Sequence, residues 1–376
     1  MTKHRLFMLM PGPKYDLDNT FKVRCKGLSE YYRGTIITSG DQYLTKHYND
    51  FKVICFKDPL TNSFISSIIF FFSSLYLLTI GTIKNDRYSA YITYDPIKSG
   101  LIGLVLKKIT RTPLIVEING DYTQDVNYLD VKNPLKRYLK KWFMVRIETI
   151  ILNKADGIKI LHETQINSFK PLKNAPQFGC FPDYTDSDAF SNLGETKNIL
   201  LVGFPFKVKG VDILIQAFKL IADKNPDWNV TILGWYPDTQ ELQSHINRHP
   251  QISHHPPVHR DDMIKHIGRC GIFVSASRTE GVARVLIEAM AAGKPRIASN
   301  VGGTSTTIKN EIDGLLFDSE DVNKLAFLMD KLISDSSLRQ TLGANARIRY
   351  EAEFGTDNYF KALHDFYSRL LLINHN

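Results

Sequence analysis

Two carboxylates in the stretch "SRTEGVARVLIEAMAAGKP", residues 277–295, are spaced to do chemistry together. Glu280 sits beside a glycine just before an apolar run, and Glu288 lies inside that run, followed by Ala289, Met290, Ala291 and Ala292. Their separation is a little over two turns of a helix, which puts both on roughly the same side. An ionised carboxylate only accepts hydrogen bonds, so one at each end of such a stretch suits hydroxyl groups such as those of a ribose and a sugar. Gly281 lets a ligand approach the backbone closely. A helix opening near Ala283 presents unpaired N–H groups that suit a diphosphate. Taken alone, the pair also fits a capping glutamate followed by an incidental helix glutamate.

These residues need a scaffold. Apolar runs "RLFMLM", "GTIITS", "FKVICF", "AYITYD", "PLIVEI" and "GIKIL" alternate with amphipathic stretches in the first half. "NILLVG", "WNVTILG", "GIFVSA", "PRIASN" and "DGLLFD" do so in the second. Continuous apolar strands between helices imply parallel sheets covered on both faces. The pattern runs twice over 376 residues, which predicts an α/β chain of two Rossmann-like, doubly wound domains. The boundary is expected in the polar, turn-rich stretch 180–198, giving domains 1–183 and 184–355. Ligands of such sheets bind outside the carboxyl ends of the strands, so a cleft faced by both domains is the expected site.

Composition narrows the class. The chain is 43% hydrophobic and 23% charged, an ordinary globular balance. Cys25, Cys55, Cys180 and Cys270 form no CxxC, which excludes a disulfide framework or zinc site and suits a reducing cytoplasm. "MTKHRLFMLMPGP" reads as a first strand rather than a signal peptide. His249, His254, His255 and His259 lie among prolines and read as loop residues, not ligands. "DSD" at 186–188 resembles a metal motif but falls in the expected linker. No GxGxxG follows a strand, which counts against a dehydrogenase.

The net charge of +8 is uneven. Residues 1–183 hold 26 Lys and Arg against 16 Asp and Glu, and residues 184–376 hold 21 against 23. The basic half predicts an anionic partner. In "NPLKRYLKKWFMVRIETIIL", 133–152, Lys136, Arg137, Lys140, Lys141 and Arg146 surround Leu135, Leu139, Trp142 and Phe143. Such a helix suits an anionic membrane surface; the alternative is a solvated face whose apolar stripe packs on the sheet. No zinc-finger, RNP-like or helix-turn-helix pattern supports nucleic acid. "FISSIIFFFSSLYLLTIGTI", 64–83, is uncharged and long enough to span a bilayer. Its four serines and its place between two strands predict a buried or interface-dipping helix instead.

"VGFPFKVKG", 202–210, closes the first strand of the second half and opens the helix "VDILIQAF". "SRTEG", the glutamate helix, "GKP", "IASNVGG" and "DGLLF" follow in order. Together they resemble the retaining GT-B glycosyltransferases of family 4, the glycogen-synthase-like and mannosyltransferase-like group. The resemblance runs from about residue 197 to 350, and more loosely through "YDPIKSGLIGLVLKKITRTPLIVEINGDY" and "LNKADGIKIL". It implies that Glu280 stands near the donor sugar's hydroxyls and reacting carbon, and that Glu288 holds the ribose. The amides of Gly281, Val282, Ala283 and Arg284 would cradle the distal phosphate, and Lys209 would clamp the diphosphate. Val258 and Arg260, in "PPVHRDDM", would meet base and ribose. Gly12 would face the donor across the cleft, and a final helix, 356–376, would cross back to the first domain.

The chain departs from that pattern in three places. Phe204 stands where an arginine is usual, with Lys207 nearby to supply charge. Asn119, in "VEINGDY", stands where a histidine is frequent, and it or Asp121 would position sugar or acceptor. Thr306 replaces a common glutamate. The expectation is a retaining hexosyltransferase peripheral to the inner face of the cytoplasmic membrane. It would use a nucleotide-diphosphate sugar, UDP-linked, without a metal or cofactor, and act on a lipid-linked or surface glycan such as lipopolysaccharide. The alternatives are a nucleotide-sugar epimerase on the same fold and an inactive membrane-bound scaffold.

Overall fold

The computed structural model describes residues 3–10, 17–57, 72, 87–119, 122–123, 125–128, 131, 133–169, 172, 176–183, 185–236, 239–246 and 248–373. Gly12, Asp121 and the apolar run 64–83 apart from Phe72 lie outside the described residues. The chain divides into two units, Met1–Tyr184 with Tyr359–Asn376, and Thr185–Asn358.

Unit 1 begins with β1 (His4–Met10), α1 (Leu17–Leu28), β2 (Tyr32–Gly40), β3 (Leu44–Tyr48), β4 (Phe51–Lys57) and β5 (Ala90–Thr93). It continues with α2 (Lys98–Thr110), β6 (Leu114–Glu117), α3 (Pro134–Leu152), β7 (Gly157–Ile160) and β8 (Gln177–Cys180). Among the described residues these strands form a sheet in the order β3-β4-β2-β1-β5-β6-β7-β8, parallel except for the β3–β4 pair. β5, β6 and β7 are buried at every residue, as strands covered on both faces must be. Ile102 and Leu106 of α2 and Ile151 and Leu152 of α3 cover one face.

Unit 2 holds β9 (Asn198–Val202), α4 (Val211–Lys219), β10 (Asn229–Leu233), α5 (Thr239–Ile246), β11 (Ile252–His255), α6 (Arg260–Arg269) and β12 (Ile272–Ser275). α7 (Arg284–Ala291), β13 (Arg296–Ser299), β14 (Leu315–Phe317), α8 (Val322–Ser334) and α9 (Ser336–Arg349) follow. Its sheet, β11-β10-β9-β12-β13-β14, is parallel throughout. α4 and α8 pack one face, and α7 packs the other with Ile267 of α6. The expected pair of parallel α/β sheets is therefore present. β3, β8 and β11 are missing from the apolar runs of the sequence for a common reason. Each is a sheet edge and carries polar or half-exposed residues.

The last helix, α10 (Thr356–Ile373), begins at the end of unit 2 and from Tyr359 onward belongs to unit 1. Tyr359, Phe360, Leu363, Phe366, Tyr367, Leu370 and Leu371 recur at helical spacing and close the second face of that unit's sheet with Phe21, Cys25 and Leu28 of α1. Gly27 and Gly179 make room for it, since a Cβ there would lie 2.2 Å and 2.8 Å from the rings of Phe360 and Phe366. Beneath this helix lies a charged cluster that sequence reasoning missed. Tyr367 donates to Glu117 Oε1 at 2.6 Å, and Lys159 Nζ lies 3.7 Å from Glu117 Oε2 and 3.4 Å from Asp183 Oδ1. Glu117 and Lys159 are fully buried. Burial pushes the Glu117 carboxyl up, against the pull of Lys159.

Candidate active site

In unit 2 the chemistry-bearing residues gather at the carboxyl ends of β9 and β12, which are neighbours in the sheet. The turn after β9 carries Lys209 on its way into α4. Gly210, at φ +61°, caps that helix so close to β12 that a Cβ would lie 1.9 Å from the Ala276 carbonyl oxygen. The Arg278 amide donates to the Val208 carbonyl at 2.8 Å, stitching the two loops together. As a result Lys209 Nζ meets Glu280 Oε1, 71 positions away in the chain. Ser277 Oγ donates to the same carboxylate oxygen at 2.8 Å. From the next loop, the Gly303 amide donates to the Gly281 carbonyl at 2.8 Å. Gly302, at φ +50°, comes so near that a Cβ would lie 1.7 Å from the Glu280 carbonyl oxygen. The "VGG" motif is therefore a clamp on the Glu280–Gly281 turn.

α7 starts directly after this turn. Its cap residue is Ala283, which has no side-chain group to bond the first amides. Among the described residues the amides of Gly281, Val282 and Ala283 make no hydrogen bond, and Gly281 and Val282 are only partly covered. They form a small, positively polarised surface beside Lys209 and Glu280. Arg284, the first residue of α7, is exposed.

Glu288 lies one turn further on, and its carboxylate receives no hydrogen bond from any described residue. Burial pushes its carboxyl up to about 7, with Arg260 and Arg284 pulling it down and Asp186 pushing it up. Val258 packs against the α7 side of the sheet. Arg260 opens α6, its guanidinium 5.6 Å from the Phe190 ring centroid and paired with Asp186 at 2.9 Å.

The remaining residues fall elsewhere. Lys207 does not join Lys209; it pairs with Asp212 of α4 at 2.9 Å. Arg278 grips the same Asp212 with two bonds, at 2.9 Å and 3.1 Å. Burial raises the Asp212 carboxyl, and the bonds from Arg278 and Lys207 outweigh it, leaving the group below its usual range. Ser277, Asp212 and Arg278 are site residues that sequence reasoning missed, although all three lie inside the stretches "SRTEG" and "VDILIQAF" that it quoted. Phe204 stands half-exposed against Trp235 at a ring distance of 5.0 Å. The Thr306 carbonyl accepts from Arg349 at 2.6 Å. Asn119 belongs to unit 1, where its amide donates to the Tyr94 carbonyl at 3.1 Å. Among the described residues no cluster of His, Cys, Asp or Glu is placed to hold a metal ion.

Unit 1 carries a separate feature on α3. Leu135, Tyr138, Leu139, Trp142 and Phe143 form an outward stripe, with Trp142 55% and Phe143 57% exposed. The packing alternative for this stripe fails: the residues α3 buries are Glu148, Ile151 and Leu152, at its far end. A cavity of about 520 Å³ beside it is lined by Arg137, Tyr138, Lys141, Trp142 and Arg146. Lys141 pairs with Asp125 at 2.8 Å, while Lys136 stands exposed and Lys140 sits over the Tyr128 ring. Among the described residues no helix is long and apolar enough to cross a membrane.

The chain is similar in sequence and in fold to known proteins. Residues 184–349 match the family described as glycosyl transferases group 1. The capsular polysaccharide biosynthesis glycosyltransferase CapM of Staphylococcus aureus is 32% identical over 176 residues, which is 45% of each chain. The chain thus spans about half the length of this curated relative. Solved structures are similar over nearly the whole chain. Sucrose-phosphate synthase from Thermosynechococcus elongatus superposes with a TM-score of 0.80 at 20% identity, covering 99% of this chain and 100% of the other. HepE of Anabaena, in complex with UDP, does so with a TM-score of 0.71 at 15% identity, covering 97% and 100%. HepE has also been solved with UDP-glucose. The fold is the GT-B fold of these glycosyltransferases.

Proposed function

From the match of residues 184–349 to the glycosyl transferases group 1 family, we propose that the chain is a retaining, metal-independent glycosyltransferase. It moves a sugar from a UDP-linked donor to a lipid-linked or surface polysaccharide acceptor. One arrangement carries this reading: Lys209 and Glu280 in contact, beside the unbonded amides that open α7. Breaking a bond between a sugar carbon and phosphate puts negative charge on the diphosphate and positive charge on the ring. Lys209 and the amides of Gly281, Val282, Ala283 and Arg284 stabilise the first, in place of a divalent cation. Lys209 leaves Glu280 for the phosphate, and Glu280 is freed to accept from the sugar hydroxyls. Glu288 accepts from the ribose, with Val258 and Arg260 at base and ribose. The acceptor hydroxyl attacks the same face that the phosphate leaves. Its oxygen forms the new bond to the sugar carbon, and its proton passes to the departing phosphate oxygen.

UDP is favoured because the structurally similar HepE holds it. A glycan acceptor is favoured by the name of CapM. Lys136, Arg137, Lys140, Lys141, Trp142 and Phe143 hold the protein to the anionic inner face of the cytoplasmic membrane, where lipid-linked acceptors are within reach. Asn119 positions sugar or acceptor. The test is thermal stabilisation by UDP, GDP, ADP and CMP for the native chain and Glu288→Ala, together with UDP release from UDP-sugars in the presence of EDTA. Stabilisation by UDP alone, lost in Glu288→Ala, with EDTA-resistant turnover lost in Glu280→Ala, is the expected result. No stabilisation by any nucleotide would sink it.

A further inference from the structure

The "DSD" tripeptide of residues 186–188 resembles a metal motif, but its side chains are committed to protein groups. Asp186 Oδ2 lies 2.9 Å from Arg260 Nη2, and the Asp186 carbonyl accepts from the same nitrogen at 2.5 Å. Ser187 Oγ donates to the Tyr350 hydroxyl at 2.8 Å. The two oxygens of Asp188 accept from Tyr350 at 2.7 Å and from Thr356 Oγ1 at 2.6 Å. A segment at the very start of unit 2 is thus pinned at one end to Tyr350 and to Thr356, the first residue of α10. At its other end it grips the arginine that opens α6.

We propose that Asp186 is a positioning residue for the nucleotide end of the donor: it fixes the Arg260 guanidinium beside Glu288. The proposal rests on the reading of Arg260 and Glu288 as nucleotide contacts. An arginine at the first position of a helix has many rotamers, and holding one of them for a ligand costs entropy. His259, which precedes it, makes no capping bond that would help. Asp186 supplies the missing constraint through two acceptor atoms, and the Phe190 ring supplies a floor. The Arg260 side chain is left a third exposed, so it is held without being sealed from a ligand. The charges that face Glu288 are Arg260 from α6, Arg284 from its own helix and Asp186 from the leading segment. Asp186 therefore acts on Glu288 in two ways, by its own negative charge and by fixing where the positive charge of Arg260 stands.

The test is UDP affinity by calorimetry, from pH 5.5 to 8.5, for the native protein, Asp186→Asn, Asp186→Glu and the control Glu288→Ala. Asp186→Asn is expected to weaken UDP roughly tenfold at pH 8, the effect of one charged hydrogen bond. The midpoint of the pH profile is a second readout: the lost negative charge favours an ionised Glu288 and moves it downward, while a loosened Arg260 favours the protonated form and moves it upward, and the titration of UDP itself is common to all the proteins. Asp186→Glu keeps the charge and is expected to keep the native midpoint and recover most of the affinity. An Asp186→Asn protein with native affinity and midpoint overturns the proposal, even if its melting temperature falls. Where Asp186→Asn does not fold, Arg260→Lys asks the same question, because it keeps the charge without the two-point geometry. It is expected to lose a similar factor, and native affinity in it overturns the proposal. A native protein that binds no UDP, or a Glu288→Ala that binds as native does, overturns the nucleotide-site reading and this proposal with it.

Discussion

Ser277 Oγ donates to Glu280 Oε1 at 2.8 Å, the same oxygen that Lys209 holds. The other oxygen of Glu280 has no partner among the described residues. One oxygen is thus fixed by protein and the other left for a ligand. Glu280→Ala is expected to lower kcat at least about 100-fold, the scale on which a well-aimed electrostatic group acts. Ser277→Ala is expected to lower kcat/KM roughly tenfold through a looser Glu280. Steady-state release of UDP from a UDP-sugar measures both, and native rates in Glu280→Ala would remove it from the mechanism.

Glu288 predicts opposite pH trends for stability and binding. Its carboxyl is raised to about 7 in the folded chain, above the ordinary glutamate range. The folded state therefore holds the proton more tightly than the unfolded state. Its ionisation costs stability as pH rises from the unfolded value towards about 7, and the cost is complete above that. Binding of a ribose hydroxyl needs the carboxylate and tightens over the same range. Glu288→Gln is expected to raise the melting temperature relative to native above pH 7 while weakening UDP. A variant with the native melting temperature at pH 8 would contradict the buried-carboxyl account.

The stripe on α3 predicts salt-sensitive binding to anionic vesicles. Each Lys or Arg near such a surface is worth about 1 kcal/mol, so Lys136, Lys140 and Arg146 together changed to glutamine should weaken partitioning on the order of 100-fold. Trp142→Ser should weaken it through lost apolar burial, with little change in salt dependence. Sedimentation with vesicles of anionic and of neutral lipid separates the two contributions. Equal binding to both lipids would remove the electrostatic half of the reading.

The cluster under α10 predicts a pair of unequal stability losses. Tyr367→Phe leaves Glu117 Oε1 buried without its donor and should cost about 1–3 kcal/mol. Lys159→Met leaves the buried carboxyl without its cation and should cost roughly 3–5 kcal/mol. Guanidinium unfolding followed by circular dichroism ranks them, and the reverse order would mean that Lys159 contributes little to holding Glu117.

The central strands and the order of loops along the second half were legible because buried parallel strands are apolar at most positions. "NILLVG" and "GIFVSA" announce themselves. Edge strands do not: "LTKHY" alternates exposed and half-buried residues. Its best signal was the two-residue Asn49–Asp50 turn that joins it to β4, with Asn49 at φ +50°. Within the site, Glu280, Glu288 and Lys209 could be found from local motifs. Their partners could not, because Ser277, Asp212 and Arg278 act through contacts set by which strands lie side by side. The spacing of α3 could not say which way its stripe points, since apolar residues occur on more than one side of that helix.

The path of α10 bears on how the protein is made. Unit 1 is assembled from the first and the last stretches of the chain, with the whole of unit 2 between them. On the ribosome, the face of its sheet that receives Phe360, Phe366 and Leu370 stays uncovered until those residues emerge. Unit 2, whose contacts all lie within one continuous stretch, has no such wait. The second unit synthesised is therefore expected to fold first, and the first to remain a client of chaperones until the end.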